Sequence, residues 1–265
     1  FVVTAEHLEE DKQNIKNFGS TGKGISVAYR DKIYRKGTKI KDILNSDESL
    51  LKLKKMGVQF KYNLELFNEF KNNPIIFEGA QAVMLDINSG TYPFVTSGDC
   101  GLGGIFNSGF SYAMPSKVYG VVKAYSTRVG EGPFPTEITG DEAEKIRSIG
   151  GEYGSTTGRA RRIGWLDLPA LKYACVKGGL TDLILTKVDV LNSFDRIKIC
   201  SSYNKEVFSG SDFFDATPVY SEIIGWENAK QVKNIEHFLN IIEMHSGCKV
   251  KYVSNGVNPE DMLIF

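Results

Sequence analysis

Hydrophobic positions in this chain follow two rhythms, short wholly apolar runs and stretches of helical spacing, and the two alternate along much of its length. Between Leu50 and Phe70, the residues Leu50, Leu51, Leu53, Met56, Phe60, Leu64, Phe67 and Phe70 recur as one face of a helix, with an interruption near Gly57. The pattern predicts a helix or a broken helical pair. Pro74 ends it, because proline lacks a backbone N–H and biases the residue before it toward extended backbone. Ile75-Ile76-Phe77 then predicts a short buried strand that delivers Glu78-Gly79 into a loop. Val118 to Tyr125 and Leu183 to Thr186 predict two more strands, and Phe1-Val2-Val3 reads as a strand already under way. Asp141 to Ile149 has the acidic first turn of a helix. Leu166 to Lys177 enters a second helix at Asp167-Leu168-Pro169 and leaves it at Gly178-Gly179, and Val232 to Ser246 predicts a third, followed by a strand from Lys249 to Val253. Apolar strands alternating with helices predict an α/β fold with a mainly parallel central sheet flanked by helices. With no internal repeat, residues 1–265 read as a single domain whose ligands bind where strands end and loops begin.

Composition narrows the chemistry. The 265 residues are 42% hydrophobic, enough for a substantial core. Lys+Arg and Asp+Glu both number 32, so no global field draws in nucleic acid and any phosphate recognition has to be local. Cys100, Cys175, Cys200 and Cys248 are scattered without a CxxC pair, which argues against a zinc site or a disulfide scaffold and for free thiols in a reducing cytosol. No apolar run reaches the length of a membrane span.

Four segments are too rich in Gly, Thr, Lys and Arg to be plain connectors. Gly19-Ser20-Thr21-Gly22-Lys23-Gly24, followed by Asp31-Lys32-Ile33-Tyr34-Arg35-Lys36-Gly37, offers small residues that let backbone N–H groups approach an anion, with cations to complete a phosphate cradle. Alone it reads better as a glycine turn with a solvated basic flank. Phe77-Glu78-Gly79-Ala80-Gln81, with Asp86 to Ser97 after it, places at Gln81 an amide that can both donate to and accept from a base, and at Thr96 a hydroxyl for phosphate; an irregular loop after a core strand is the plainer alternative. Gly154 to Arg162 packs Thr156, Thr157, Arg159, Arg161 and Arg162 into one stretch. Guanidinium forks suit bidentate binding of carboxylate or phosphate, whereas a nucleic-acid patch would call for interleaved aromatics that are absent. Thr186-Lys187-Val188-Asp189 ends an apolar strand, where the aspartate can accept two parallel N–H bonds from guanine while the lysine stem covers the ring.

Taken in order, GSTGKG, DKIYRKG, FEGAQ, SGTYPFVTS, TRVGEGPFPTE, GSTTGRARRIGW and LTKVDVL resemble the successive signature segments of the adenylosuccinate synthetase family, from about Gly19 to the end of the chain. The resemblance implies a P-loop-NTPase-like fold, GTP as co-substrate, Mg²⁺, and a cytoplasmic homodimer that joins L-aspartate to IMP in purine biosynthesis through a 6-phosphoryl intermediate. It implies IMP-binding roles for Thr21, Arg35, Gln81, Thr96, Val129 and Arg159, with Arg35 reaching across the dimer interface. It implies aspartate binding by Thr156, Thr157, Arg159 and Arg161, and GTP binding by Lys187, Asp189, Ser254 and Gly256, with Lys23 and Lys32 near the phosphates.

The departures set further expectations. Val257 stands where the family has proline, Ala160 replaces one member of the arginine run, and the stretch between Gly37 and Phe77 is shorter than in common bacterial forms. The family's GDEGKGK-like loop and its acceptor-polarising histidine have no counterpart, so catalytic residues and metal ligands are expected upstream of this sequence, and this chain alone is expected to bind without catalysing. His7, His237 and His245 read as ordinary surface or helix histidines. Two alternatives stay open: a phage-type enzyme acting on dGMP to give a 2-aminodeoxyadenylosuccinate nucleotide, and a non-catalytic nucleotide-binding relative.

Overall fold

The computed structural model describes residues 1–18, 22–110, 114–154 and 158–265, with the backbone alone for 14–18. The N-terminal part is helical: α1 (Ala5–Phe18), α2 (Ile25–Ile33), α3 (Ile40–Ile43), α4 (Glu48–Lys55), α5 (Asn63–Phe70) and the short α6 (Leu102–Asn107). The remainder alternates: β1 (Tyr119–Lys123), β2 (Ser126–Arg128), β3 (Glu137–Ile138), α7 (Asp141–Gly150), β4 (Arg162–Gly164), β5 (Leu166–Asp167), α8 (Leu168–Gly178), β6 (Asp182–Thr186), β7 (Arg196–Tyr203), β8 (Pro218–Ile224), α9 (Val232–Ser246), β9 (Lys249–Ser254) and β10 (Met262–Ile264).

These strands form three sheets. The largest has the order β1-β6-β9-β10, with β1, β6 and β9 mutually parallel and β10 antiparallel at one edge. Parallel neighbours need crossovers, and α9 supplies the one between β6 and β9. Leu183, Leu185, Val250 and Val253 fill the buried side of that sheet together with Leu171 and Cys175 of α8 and Ile235, Phe238 and Ile242 of α9. Two smaller sheets, β2-β4-β3 and β5-β7-β8, extend the layer, and Trp165 between β4 and β5 is buried in the same core against the Phe194 ring. Local chemistry sets the helix ends: Asp167 caps α8 by accepting from the Ala170 N–H, and Gly179 and Gly247 close α8 and α9 at φ 63° and 76°, a left-handed conformation that costs glycine nothing.

Most of the expected elements are present, including the broken helical pair α4 and α5 with Gly57 at φ 88° between them. Two expected strands are not. Ile75–Phe77 forms no ladder, and Ile76 is 92% exposed; an apolar run becomes a strand only beside a partner, and the open sheet edge at β1 is not paired to it. Phe1–Val3 likewise makes a single backbone bond, Val2 N–H to the Thr38 carbonyl, and no strand. His7 is also not at the surface. It is buried in α1 with its ring 3.2 Å from the Asp31 carboxylate. The helices α3, α4 and α5 bury no residue, so the segment between Gly37 and Phe77 lies outside the core.

Candidate active site

Because β1, β6 and β9 run parallel, their C-terminal ends meet at one end of the sheet, where Lys123 pairs with Thr186 and Leu185 with Val253. The chain leaves β6 through Lys187, whose φ of 62° is unusual for a residue with a Cβ, and enters a tight turn over Val188–Leu191. Burial of Val188, Val190 and Leu191, and a bond from the Trp226 indole N–H to the Val188 carbonyl at 3.0 Å, hold that turn. The Asp189 side chain remains half-buried at the surface of the turn, while Lys187 Nζ donates to the Gly150 carbonyl at 3.0 Å.

Beside it, β9 delivers Ser254, whose hydroxyl donates to the Gly256 carbonyl at 3.0 Å, and Asn255, whose N–H donates to the Asp261 carbonyl at 3.1 Å. A Cβ at residue 256 would overlap the Asp261 carboxylate, so a larger residue there would displace that side chain. Lys230 Nζ lies 3.0 Å from that carboxylate and, with Asn258, holds it below the usual carboxylate range. Val257, at the family's proline position, is 91% exposed and leaves this packing intact.

The arginine loop divides its three guanidiniums. Thr156 and Thr157 lie outside the described residues, as does Thr21. Gly154 and Gly158, the latter at φ 63°, close the loop through bonds from Gly154 N–H to the Arg159 carbonyl and from Gly158 N–H to the Gly154 carbonyl, both 2.8 Å. Arg159 projects with a 67% exposed side chain, 4.0 Å from Glu131. Arg162 serves structure: it donates to Glu137 and to the carbonyls of Gly130 and Gly132, and stacks on the Phe134 ring. Arg161 turns inward, its Nη1 donating to Glu152 at 2.6 Å.

Glu152 is the centre of a buried polar knot. Lys123 Nζ donates to both its oxygens at 2.7 and 2.8 Å, and the Tyr125 hydroxyl donates at 2.6 Å. Burial alone would raise the carboxyl pKa, yet Lys123, Tyr125 and Arg161 together hold it below the usual range. Burial and the donor role to Glu152 push the Tyr125 phenol far above its ordinary value.

A second group of loops adjoins. Asp86, buried, accepts from the N–H groups of Asn88, Ser89 and Cys100 at 2.7–2.8 Å and so folds the SGTYPFVTS stretch. Thr96 N–H donates to the Leu85 carbonyl at 2.7 Å. From β2, Arg128 donates to Thr91 Oγ1, the Phe94 carbonyl and the Glu131 carbonyl, which fixes neighbouring Val129, itself 57% exposed, beside this stretch. Burial pulls the Arg128 pKa down to about 10, with Arg162 adding to the effect. Gln81 and Arg35 are both exposed and both adopt left-handed backbone, at φ 62° and 63°. Asp11 seats the Gly22-Lys23-Gly24 turn by accepting from Gly24 N–H at 2.8 Å and the Ser26 hydroxyl at 3.1 Å, while Lys32 lies over the Phe1 and Tyr29 rings. Tyr29 in turn abuts Gly98, where a Cβ would lie 2.8 Å from its hydroxyl, so α2 packs against the Thr96 stretch.

The structure therefore brings Lys187, Asp189, Ser254, Gly256 and, through Glu152, Arg161 to the ends of the parallel strands, while Arg159 lies beside Glu131 and Arg128 ties Val129 to the loop that leads to Thr96. Sequence reasoning missed the acids and the cation that hold these loops, namely Glu152, Asp86, Asp11 and Arg128. Such an arrangement, cations and a half-buried carboxylate on loops at the strand ends of an α/β sheet, suits a nucleotide-using enzyme.

Comparison with known proteins supplies the family. The sequence model described as adenylosuccinate synthetase matches residues 1–71 and 52–263. Curated adenylosuccinate synthetases of Petrotoga mobilis and Thermotoga maritima are 42% and 40% identical over 99% of this chain, which covers 72% and 74% of those proteins. The Petrotoga alignment runs 307 residues against a chain of 265, and the family match breaks and overlaps at 52–71, so the relatives carry internal residues that this chain lacks near α3–α5. The fully ligated adenylosuccinate synthetase of Plasmodium falciparum superposes with a TM-score of 0.77 at 28% identity, over 98% of this chain and 75% of that one. The succinoaminodeoxyadenylate synthetase of cyanophage S-2L superposes at 0.68 over 99% of this chain and 66% of that one, but at 20% identity, which establishes a common fold. The chain belongs to the adenylosuccinate synthetase family, whose members are GTP-dependent ligases.

Proposed function

We propose that this chain serves the GTP-dependent joining of L-aspartate to IMP, giving adenylosuccinate, GDP and phosphate, as its substrate-binding part. The observation that carries the reading is its 42% and 40% identity, over 99% of its length, to adenylosuccinate synthetases, supported by Glu152, which ties Arg161 to Lys123 at the end of β1, beside the Lys187 turn. In the reaction, the γ-phosphoryl of GTP passes to O6 of IMP, and the aspartate amine attacks C6 as inorganic phosphate leaves. Little covalent work falls to the protein, and positioning and charge stabilisation dominate. Asp189 accepts from guanine N1 and N2 while the Lys187 stem covers the ring and the Ser254–Gly256 loop closes over it. Arg159 and Arg161, with Thr156 and Thr157, hold aspartate. Thr21, Gln81, Thr96, Val129, Arg159 and Arg35 hold IMP, Arg35 from the other subunit of a homodimer. A cytoplasmic setting suits this chemistry, and among the described residues no helix is long and apolar enough to cross a membrane.

Mg²⁺ accompanies GTP in this reading. Among the described residues no three His, Cys, Asp or Glu side chains converge as a metal cage. The test, on the full-length gene product, is aspartate-dependent phosphate release with GTP and Mg²⁺, IMP and dGMP being supplied in parallel, alongside calorimetric binding of each ligand. Turnover with IMP is expected. Turnover with dGMP alone would replace IMP by the phage-type substrate, and nucleotide binding without aspartate binding or turnover would leave a non-catalytic relative.

A further inference from the structure

Glu152 is 1% exposed in its side chain and takes three cationic or phenolic partners, yet it stands outside the set of residues assigned to substrate. Its contact with Arg161 is one-sided. Arg161 Nη1 donates to Glu152, the Arg161 N–H donates to the Glu152 carbonyl at 2.9 Å, and Nε is buried without an acceptor. The Arg161 side chain is 29% exposed although Nε itself is buried, so it is the remainder of the guanidinium that a ligand can reach. A guanidinium held at one nitrogen still offers donors to a carboxylate.

We propose that Glu152 is a positioning residue for aspartate: it grips Nη1 of Arg161 and so fixes the guanidinium for the substrate carboxylate. This rests on the functional reading above. The rest of the knot makes the grip rigid. Lys123, at the end of β1, spans both Glu152 oxygens and also donates to Thr127 at 3.1 Å, and Lys187 ties the preceding Gly150 carbonyl to the guanine-reading turn. An arginine with one end already held loses less side-chain freedom when the carboxylate arrives.

The experiment measures KM for aspartate, IMP and GTP in wild type, E152Q, E152D, R161A and R161A/E152Q. Glu152→Gln is expected to raise the aspartate KM roughly tenfold, the loss of one charge-assisted contact, and to leave the nucleotide KM values within about twofold. Glu152→Asp should recover part of the loss. In the Arg161→Ala background, Glu152→Gln should add nothing further to the aspartate KM, because the group it positions is gone. Should E152Q fold poorly with Lys123 and Arg161 left facing each other, K123M/E152Q restores the charge balance and is expected to show the same aspartate-specific loss. Equal rises in all three KM values, or an additive effect on R161A, would reduce Glu152 to structural support and overturn the proposal. If wild type binds aspartate calorimetrically without turning over, the same comparisons are made on Kd, and an unchanged Kd in E152Q overturns this proposal alone. Absence of any aspartate binding by wild type would overturn the functional reading as well.

Discussion

Replacing Asp167 with asparagine separates a buried charge from the cap that the same side chain provides. Asp167 is 6% exposed; one oxygen accepts from Ala170 N–H at 3.0 Å at the start of α8, and the other accepts from the Tyr203 hydroxyl at 2.5 Å. Burial raises its pKa from 3.8 to about 6 and outweighs both hydrogen bonds, which act to lower it. A folded-state value above the unfolded one means that the folded chain prefers the neutral acid. The contribution is therefore fully present below about pH 4 and is lost as pH rises through about 6. A shift of about two units corresponds to about 3 kcal/mol of stability forfeited by about pH 8. Asparagine keeps an oxygen for the Ala170 N–H and remains uncharged, and the Tyr203 hydroxyl can turn to accept from its amide. Urea unfolding of both proteins, followed by fluorescence of the buried Trp165 and Trp226, would be run from about pH 4 to about pH 8. Relative to wild type, D167N should gain about 2–3 kcal/mol across that range, nearly all of it between about pH 4 and 7. A difference that stays flat with pH, or one that moves against D167N as pH rises, would refute the reasoning.

The loops at the sheet end give further expectations. Asp189→Ala removes two parallel bonds to a charged acceptor and should raise the GTP KM about 100-fold, with the IMP KM little changed, in steady-state assays. Gly256→Ala drives a Cβ into the Asp261 carboxylate held by Lys230; it should raise the GTP KM about tenfold, and Asp261→Ala in the same chain should relieve part of that. Arg128→Lys cannot reach Thr91, Phe94 and Glu131 from one ammonium, so it should destabilise the fold by about 1–3 kcal/mol, read as a lower urea midpoint.

What could be read in advance depended on whether its cause was local. The helices α7, α8 and α9 announce themselves through capping residues that act within a turn or two, such as Asp167 before Pro169 and the glycines at 179 and 247. Strands depend on partners far away in sequence. Ile75-Ile76-Phe77 has the apolar run but no strand partner, whereas β7 and β8 pair antiparallel, with a register shift between Cys200 and Ser202, across the loop between Tyr203 and Pro218, without the tight-turn dipeptide that would have marked a hairpin. The candidate site divides along the same line. Its cations and Asp189 sit in glycine-rich loops and strand ends whose composition is informative by itself. Glu152 and Asp86 look like any other acid in the sequence, and only the tertiary structure buries them against particular donors. A loop that must present guanidiniums to a dicarboxylate cannot also leave them free to swing, so a buried anion has to hold one of them. Which of the 32 acids does so is a property of the fold, and the bond from Arg161 Nη1 to the buried Glu152 carboxylate is what points to that anion.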